Sequence, residues 1–365
     1  MKQIVISGIN LYIGGTLTIF KDMIRTLLEN NLDIKYEIVC FVHNKELFSE
    51  YKERVNLIEL KDSRSSYIKR IKYEFLYFNK YSKQNDVYIW ISAQDITPNV
   101  KCEKLYTYCH NPMMFYKVDK KEIRYSKKLV IFSLLYKYVY GFNIKKNTYV
   151  IVQQEWIRKE FQKKYRINNI LVARPCLVNT KIDFTETKAS TTSFIFASQG
   201  TFFKNFEVIC KAVKFLNEKC ENEYEVWLTV DGSEGKYTSD LYKEYGDLKN
   251  IKWLGFQNKQ DLFNLYDKST CMIFPSKLET WGLPISEYKN TGKPIIVSDL
   301  PYAHETVGSY RSVAFFDPNN YKQLADIMFS IIRGYDICQE VVEKPIAPPY
   351  VSSWNEFWAF ITNGD

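Results

Sequence analysis

Histidine is scarce in this chain, with only His43, His110 and His304 in 365 residues. Eight cysteines are present, but no two stand in a C-x-x-C pair, which removes the usual zinc-ribbon and thiol-redox readings. Cys40, Cys109 and Cys271 lie in apolar runs, where a thiol acts as a small hydrophobe. The G-x-G-x-x-G fingerprint is missing, which argues against a dinucleotide-dependent dehydrogenase. No apolar run is long. The best candidate, residues 129–136, is flanked by Lys127, Lys128 and Lys137 and is too short to cross about 30 Å of hydrocarbon. Residues 1–8 run directly into a strand and turn with no leader-like segment, so a cytoplasmic location is expected, peripheral to the inner face of the membrane if lipid is contacted.

What is present is the composition of a globular protein, with 46% hydrophobic and 25% charged residues. A chain of this length is expected to build two cores. Its charge is unevenly spread: residues 1–180 hold 31 Lys and Arg against 17 Asp and Glu, leaving 19 against 25 for the remainder. A basic first half points to an anionic membrane surface or another polyanion, with nucleic acid as the competing partner.

Short β-rich runs alternate with amphipathic helix-length segments, the pattern of parallel sheets with crossover helices. Strands are predicted at 4–7, 37–42, 55–60, 87–91, 105–109 and 149–153, and again at 194–197, 224–230, 251–254, 271–274 and 294–297. Between the two sets, residues 180–193 are polar and aperiodic and read as a linker. The expected division is 1–179, 180–345, and a closing segment 346–365. Trp354, Phe357, Trp358 and Phe360 make that closing segment aromatic enough to require burial, and after the proline-rich stretch 345–349 it is expected to return to the first domain.

The strongest local signal is Glu279-Thr-Trp-Gly-Leu-Pro-Ile-Ser-Glu287, set between a buried strand and a helix that opens near Pro284. Proline suits the first helical positions because its missing N–H has no partner there anyway. Glu279 is then placed in the loop at the carboxyl edge of the sheet and Glu287 about one turn into the helix, both within reach of the crevice where open α/β sheets bind ligands. The amides of Gly282 and Leu283 are donors suited to a phosphate.

Two glutamates eight positions apart around Gly-Leu-Pro resemble the E-x7-E element of the retaining family 4 glycosyltransferases. The resemblance implies two Rossmann-like domains with parallel sheets facing across a cleft, the GT-B arrangement. It also implies transfer of a hexose or deoxyhexose from a nucleotide sugar, UDP- or GDP-linked, to a glycan. Glu279 would then contact donor-sugar hydroxyls and Glu287 the ribose.

Other segments match in family order. Gly14 and Gly15, in Gly8-Ile-Asn-Leu-Tyr-Ile-Gly-Gly-Thr16, resemble the first glycine-rich loop; alone they would read as a tight βα turn. Tyr108-Cys-His-Asn-Pro112 places His110 where the family keeps a histidine beside donor sugar and phosphate, although a lone histidine is more often structural. Phe196-Ala-Ser-Gln-Gly-Thr-Phe-Phe-Lys-Asn205 puts Lys204, with Asn205 next to it, at the diphosphate as a fixed cation. The arginine the family often has just before this lysine is replaced by Ser198, Gln199 and Thr201. Gly255 and Phe256 resemble the segment lying against the base, and Asp231 belongs to a loop of the same crevice or simply to a turn. No D-x-D occurs, which fits metal-independent members, and no cofactor or metal is expected.

For the acceptor, the resemblance suggests a lipid-linked oligosaccharide of O-antigen, capsule or another surface polysaccharide. Residues 67–78 and 127–140 are basic and aromatic, the pattern of helices lying on an anionic membrane; the opposing reading buries those aromatics in the core. The competing functions are a hydrolysing nucleotide-sugar epimerase of the same fold and a non-catalytic glycan- or polyanion-binding protein.

Overall fold

The computed structural model describes residues 1–175, 191–219, 223–337, 341 and 343–363. The chain forms two compact units: Met1–Tyr116 with Ile131–Val178 and Ile346–Asp365, and Lys117–Val130 with Asn179–Pro345. Most of the linker expected at 180–193 lies outside the described residues, as do Cys176, Cys220 and Cys338.

The first unit is built on eight parallel strands: β1 (Gln3–Gly8), β2 (Glu37–Val42), β3 (Asn56–Glu59), β4 (Val87–Ser92), β5 (Lys104–Tyr108), β6 (Tyr149–Val152), β7 (Ile170–Ala173) and β14 (Tyr350–Val351). Their order is β14-β7-β6-β5-β4-β1-β2-β3. Helices cover both faces, so the central strands are apolar without alternation, and Ile4, Val5 and Ile6 of β1 are all fully buried. The sheet order reverses between β1 and β4, the position at which open α/β sheets form a ligand crevice.

The aromatic tail belongs to this unit. β14 extends the sheet beside β7, and the helix Trp354–Asn363 packs on the helix Gly14–Glu29. Trp358 is buried and its Nε1 donates to the Met23 carbonyl at 3.0 Å, which satisfies the indole as its rings are covered. Burying Phe357 and Trp358 together contributes about 4–6 kcal/mol.

The second unit carries six parallel strands: β8 (Thr192–Phe196), β9 (Tyr224–Leu228), β10 (Ile251–Trp253), β11 (Cys271–Phe274), β12 (Ile295–Ser298) and β13 (Val313–Phe316). Their order, β10-β9-β8-β11-β12-β13, reverses between β8 and β11. Residues 117–130, placed with the first domain on sequence pattern, group here instead. Glu122 pairs with Lys277 at 3.5 Å, and the Tyr125 ring packs edge-on to Tyr237 at 5.2 Å.

Three strands have no counterpart among the sequence predictions: β7, β13 and β14. No helix of the described residues is long and apolar enough to cross a membrane.

Candidate functional site

In the second unit the carboxyl ends of β8 and β11 meet. After β8 the chain passes through a single 3₁₀ turn, Phe202–Lys204, to Asn205, which takes a left-handed backbone (φ 65°) that asparagine tolerates. The Asn205 side chain is buried and donates from Nδ2 to the carbonyls of Pro275 (3.1 Å) and Pro318 (2.8 Å). Asn205 thus pins this loop to two others, and its amide is spent on backbone. A second tie runs from the Lys277 amide to the Phe203 carbonyl at 2.8 Å. Between these ties the Lys204 ammonium forms an ion pair with the Glu279 carboxylate, both side chains mostly but not wholly buried. Two residues 75 positions apart, chosen from separate motifs, therefore touch at the point where the strand order reverses.

The chain then reaches Gly282, whose φ of 88° is the left-handed region. A Cβ there would also stand 3.2 Å from the Ile285 side chain, so both conformation and space call for glycine. The helix Leu283–Lys289 follows, with Pro284 in its first turn and without a side-chain cap. Glu287 is half-buried on this helix. Desolvation pushes its carboxyl up to about 7, opposed by the charge of Lys259.

Gly255 follows β10 with φ 66°, and a Cβ there would meet the Asp231 carboxylate at 2.9 Å. The loops after β9 and β10 thus touch. Asp231 accepts from the Ser233 amide at 2.8 Å in an Asx-type turn, and the Ser233 hydroxyl together with that amide holds its carboxyl below the usual range, so its visible role is in the turn. Phe256 is left 85% exposed beside this loop. Lys277, whose amide binds the Phe203 carbonyl, is held through its ammonium by Glu207 at 3.3 Å and Glu122 at 3.5 Å.

The first unit has its own polar cluster at the β1/β4 reversal. Gly14 is exposed, with φ 72° and open space where a Cβ would be, and Gly15 follows it into the helix Gly14–Glu29, whose amide end carries no side-chain cap. Behind them the Asn10 amide donates to Gln94 Oε1 at 3.1 Å. Gln94 donates in turn to Glu74, and its carbonyl accepts from Arg70 at 2.6 Å. Glu74 is fully buried on a π-turn, Tyr73–Tyr77, and burial pushes its carboxyl up to about 8.

Next to Gln94, Asp95 sits in the left-handed region (φ 73°) and gathers donors. The amides of His110 (2.6 Å) and Asn111 (3.1 Å) and the hydroxyls of Tyr136 and Tyr140 (both 2.7 Å) all point at its carboxylate. His110 is thereby fixed through its backbone, and its ring leans on Tyr108 at 4.5 Å. Desolvation lowers its pKa, against the opposing pull of Asp95, so the imidazole is neutral near pH 7.

Sequence reasoning singled out His110 and missed the carboxylate that holds it. The available signal was an acidic residue directly after a buried central strand, in Ser92-Ala-Gln-Asp95. Among the described residues no group of three or more His, Cys, Asp or Glu is arranged to hold a metal ion.

Against this geometry, comparison with known proteins is informative for the second unit. Residues 179–344 match the model of the group 1 glycosyl transferases. O-antigen chain mannosyltransferase B of Escherichia coli is 37% identical over 104 residues, covering 28% of this chain and 27% of that protein. O-antigen chain mannosyltransferase RfbU of Salmonella typhimurium is 22% identical over 178 residues, 48% of this chain and 49% of that one. The chain thus spans about half or less of the length of these curated relatives.

Among solved structures, sucrose-phosphate synthase from Thermosynechococcus elongatus has a TM-score of 0.66 at 14% identity, covering 91% of this chain and 90% of that one. The HepE protein of Anabaena in complex with UDP-glucose has a TM-score of 0.60 at 12% identity, covering 92% and 90%. These likenesses show the two-sheet α/β fold of GT-B glycosyltransferases. The sequence matches support a glycosyltransferase of the group 1 type.

Proposed function

We propose that this chain transfers a sugar from a nucleotide-sugar donor to a glycan acceptor with retention of configuration and without a divalent metal, as a family 4 enzyme. The observation that carries this reading is the Lys204–Glu279 pair at the strand-order reversal of the second unit. Each member came from a different motif, and the fold brings them into contact.

The division of labour follows from charge. Lys204 faces the diphosphate and stabilises the negative charge that grows on it as the bond from the anomeric carbon to the phosphate oxygen breaks. The acceptor hydroxyl attacks from the same face, and its proton passes to a phosphate oxygen of the leaving nucleoside diphosphate. Glu279 releases Lys204 and accepts hydrogen bonds from sugar hydroxyls, positioning the ring rather than attacking it. Glu287 accepts from the ribose, Gly282 and Leu283 offer backbone amides, and the Gly255–Phe256 loop lies against the base. The resemblance also assigns neutral His110 and the Gly14–Gly15 turn to donor contacts. The mannosyltransferase relatives favour a mannose donor and an O-antigen-type, lipid-linked acceptor, and the UDP-glucose held by HepE favours the nucleotide-sugar class.

The test is release of nucleoside diphosphate from a panel of UDP-, GDP-, dTDP- and ADP-sugars in the presence of a chelator, with Glu279→Ala as control. Release from one donor, lost in the variant, supports the transfer. A free sugar of altered configuration, made without acceptor, would replace it with the epimerase reading.

A further inference from the structure

A surface helix that buries one apolar stripe ordinarily turns polar side chains outward. The helix Lys127–Gly141 breaks this rule. Its inner stripe, Ser133, Tyr136 and Tyr140, is buried, with both tyrosines bonded to Asp95. Its outer stripe, Ile131, Leu134, Leu135 and Tyr138, continues to Phe142, and all five are between 55% and 66% exposed. Spacings of three, four, seven and eleven put them on one face.

The segment 67–84 repeats the arrangement. Arg70, Glu74 and Phe78 point inward, while Ile68, Ile71 and Leu76 are exposed. Phe75 and Phe142 meet edge to face at 4.9 Å and join the two outer faces into one surface. At the end of the helix a pocket of about 440 Å³ opens beside Phe142, and its lining holds Lys145, Lys146 and Lys164 but no carboxylate.

We propose that this surface docks on an anionic phospholipid bilayer, with the exposed apolar side chains entering the interface and a headgroup phosphate occupying the lysine pocket. Isolated apolar side chains on a surface need no explanation, but a contiguous face with a basic rim does. Apolar residues at helical spacing flanked by lysine are what an interfacial helix requires. Charge selects the occupant: the lysine-lined pocket and the basic surplus of residues 1–180 attract a negative headgroup layer, whereas a second copy would bring like charges together. The inference is independent of the donor chemistry, because no nucleotide sugar enters it.

Cosedimentation with vesicles of phosphatidylcholine mixed with phosphatidylglycerol, against vesicles of phosphatidylcholine alone, tests it on the full chain. Binding is expected only to the anionic vesicles. Replacing two exposed lysines, in Lys145→Ala with Lys164→Ala, should weaken it roughly 20-fold, since each lysine near such a surface is worth about fivefold. Leu134→Glu with Tyr138→Glu should abolish it. Both pairs are exposed, so wild-type melting behaviour is expected and separates docking from folding.

Equal binding to both vesicle types, no binding to either, or binding indifferent to both pairs of substitutions would overturn the proposal. So would a lipid-free dimer that Leu134→Glu with Tyr138→Glu converts to monomer, since the face would then belong to a second copy.

Discussion

The two sheets reverse their strand order at equivalent places, yet they put different chemistry there. Between β1 and β4 the polar groups are sealed in: Glu74 answers Gln94, Gln94 holds the Asn10 amide, and Asp95 holds two tyrosines and the amide of His110. Between β8 and β11 two opposite charges meet while still partly open to solvent. The same topology thus serves in one unit to fix backbone and in the other to hold two opposite charges that still reach solvent. Position at a strand-order reversal identifies where a ligand crevice forms, but the connectivity of the polar groups shows which of them are free to act.

Substitutions should separate the two regions. The largest effect is expected at Lys204: Lys204→Ala should lower sugar-transfer turnover about 10²–10³-fold, as loss of one preorganised charge-stabilising group does, with little change in the unfolding midpoint. Comparing kcat with urea unfolding checks this. Asp95→Ala should behave in the opposite way, costing about 3 kcal/mol in urea unfolding, because four donors lose a buried acceptor.

A smaller and pH-dependent effect is expected at Glu74. Its native carboxyl is raised to about 8, so the native state keeps a proton that the unfolded chain gives up above its ordinary value of 4.5. Stability from this group is therefore greatest below that ordinary value and declines as pH rises toward 8. Glu74→Gln should remove the decline in melting temperature across that window, and an unchanged slope would place the cause elsewhere. The smallest effect is expected at Glu287. With its carboxyl raised to about 7, the carboxylate that we propose accepts from the ribose is progressively lost below that pH, so donor affinity should weaken on acidification and become pH-flat in Glu287→Gln.

Much of this was legible in the sequence because apolar strands, Gly-Leu-Pro before a helix, and paired glutamates are local signals. Lys204 and Glu279 could be named one at a time; that they touch is a property of strand order, which no local pattern contains. Asp95 had only its place directly after a buried strand as a signal, and Glu74 had none. Each looks like an ordinary surface carboxylate until the fold supplies its tyrosine, amide and glutamine partners. The basic aromatic helices posed the reverse problem. Their composition allowed either a buried or an exposed reading, and the structure holds both at once, with Tyr136 and Tyr140 inside and Leu134 and Tyr138 outside. The grouping of residues 117–130 with the second unit depends on Glu122 finding Lys277, a contact 155 positions away in the chain.

The most direct test of the central claim is calorimetric titration of UDP and GDP into the wild-type protein, Lys204→Met and Asp95→Asn. Binding of one nucleotide that is lost in Lys204→Met and retained in folded Asp95→Asn is the predicted result. Binding of neither nucleotide, or binding that survives loss of Lys204 and fails with Asp95, would contradict the assignment of donor recognition to the second unit.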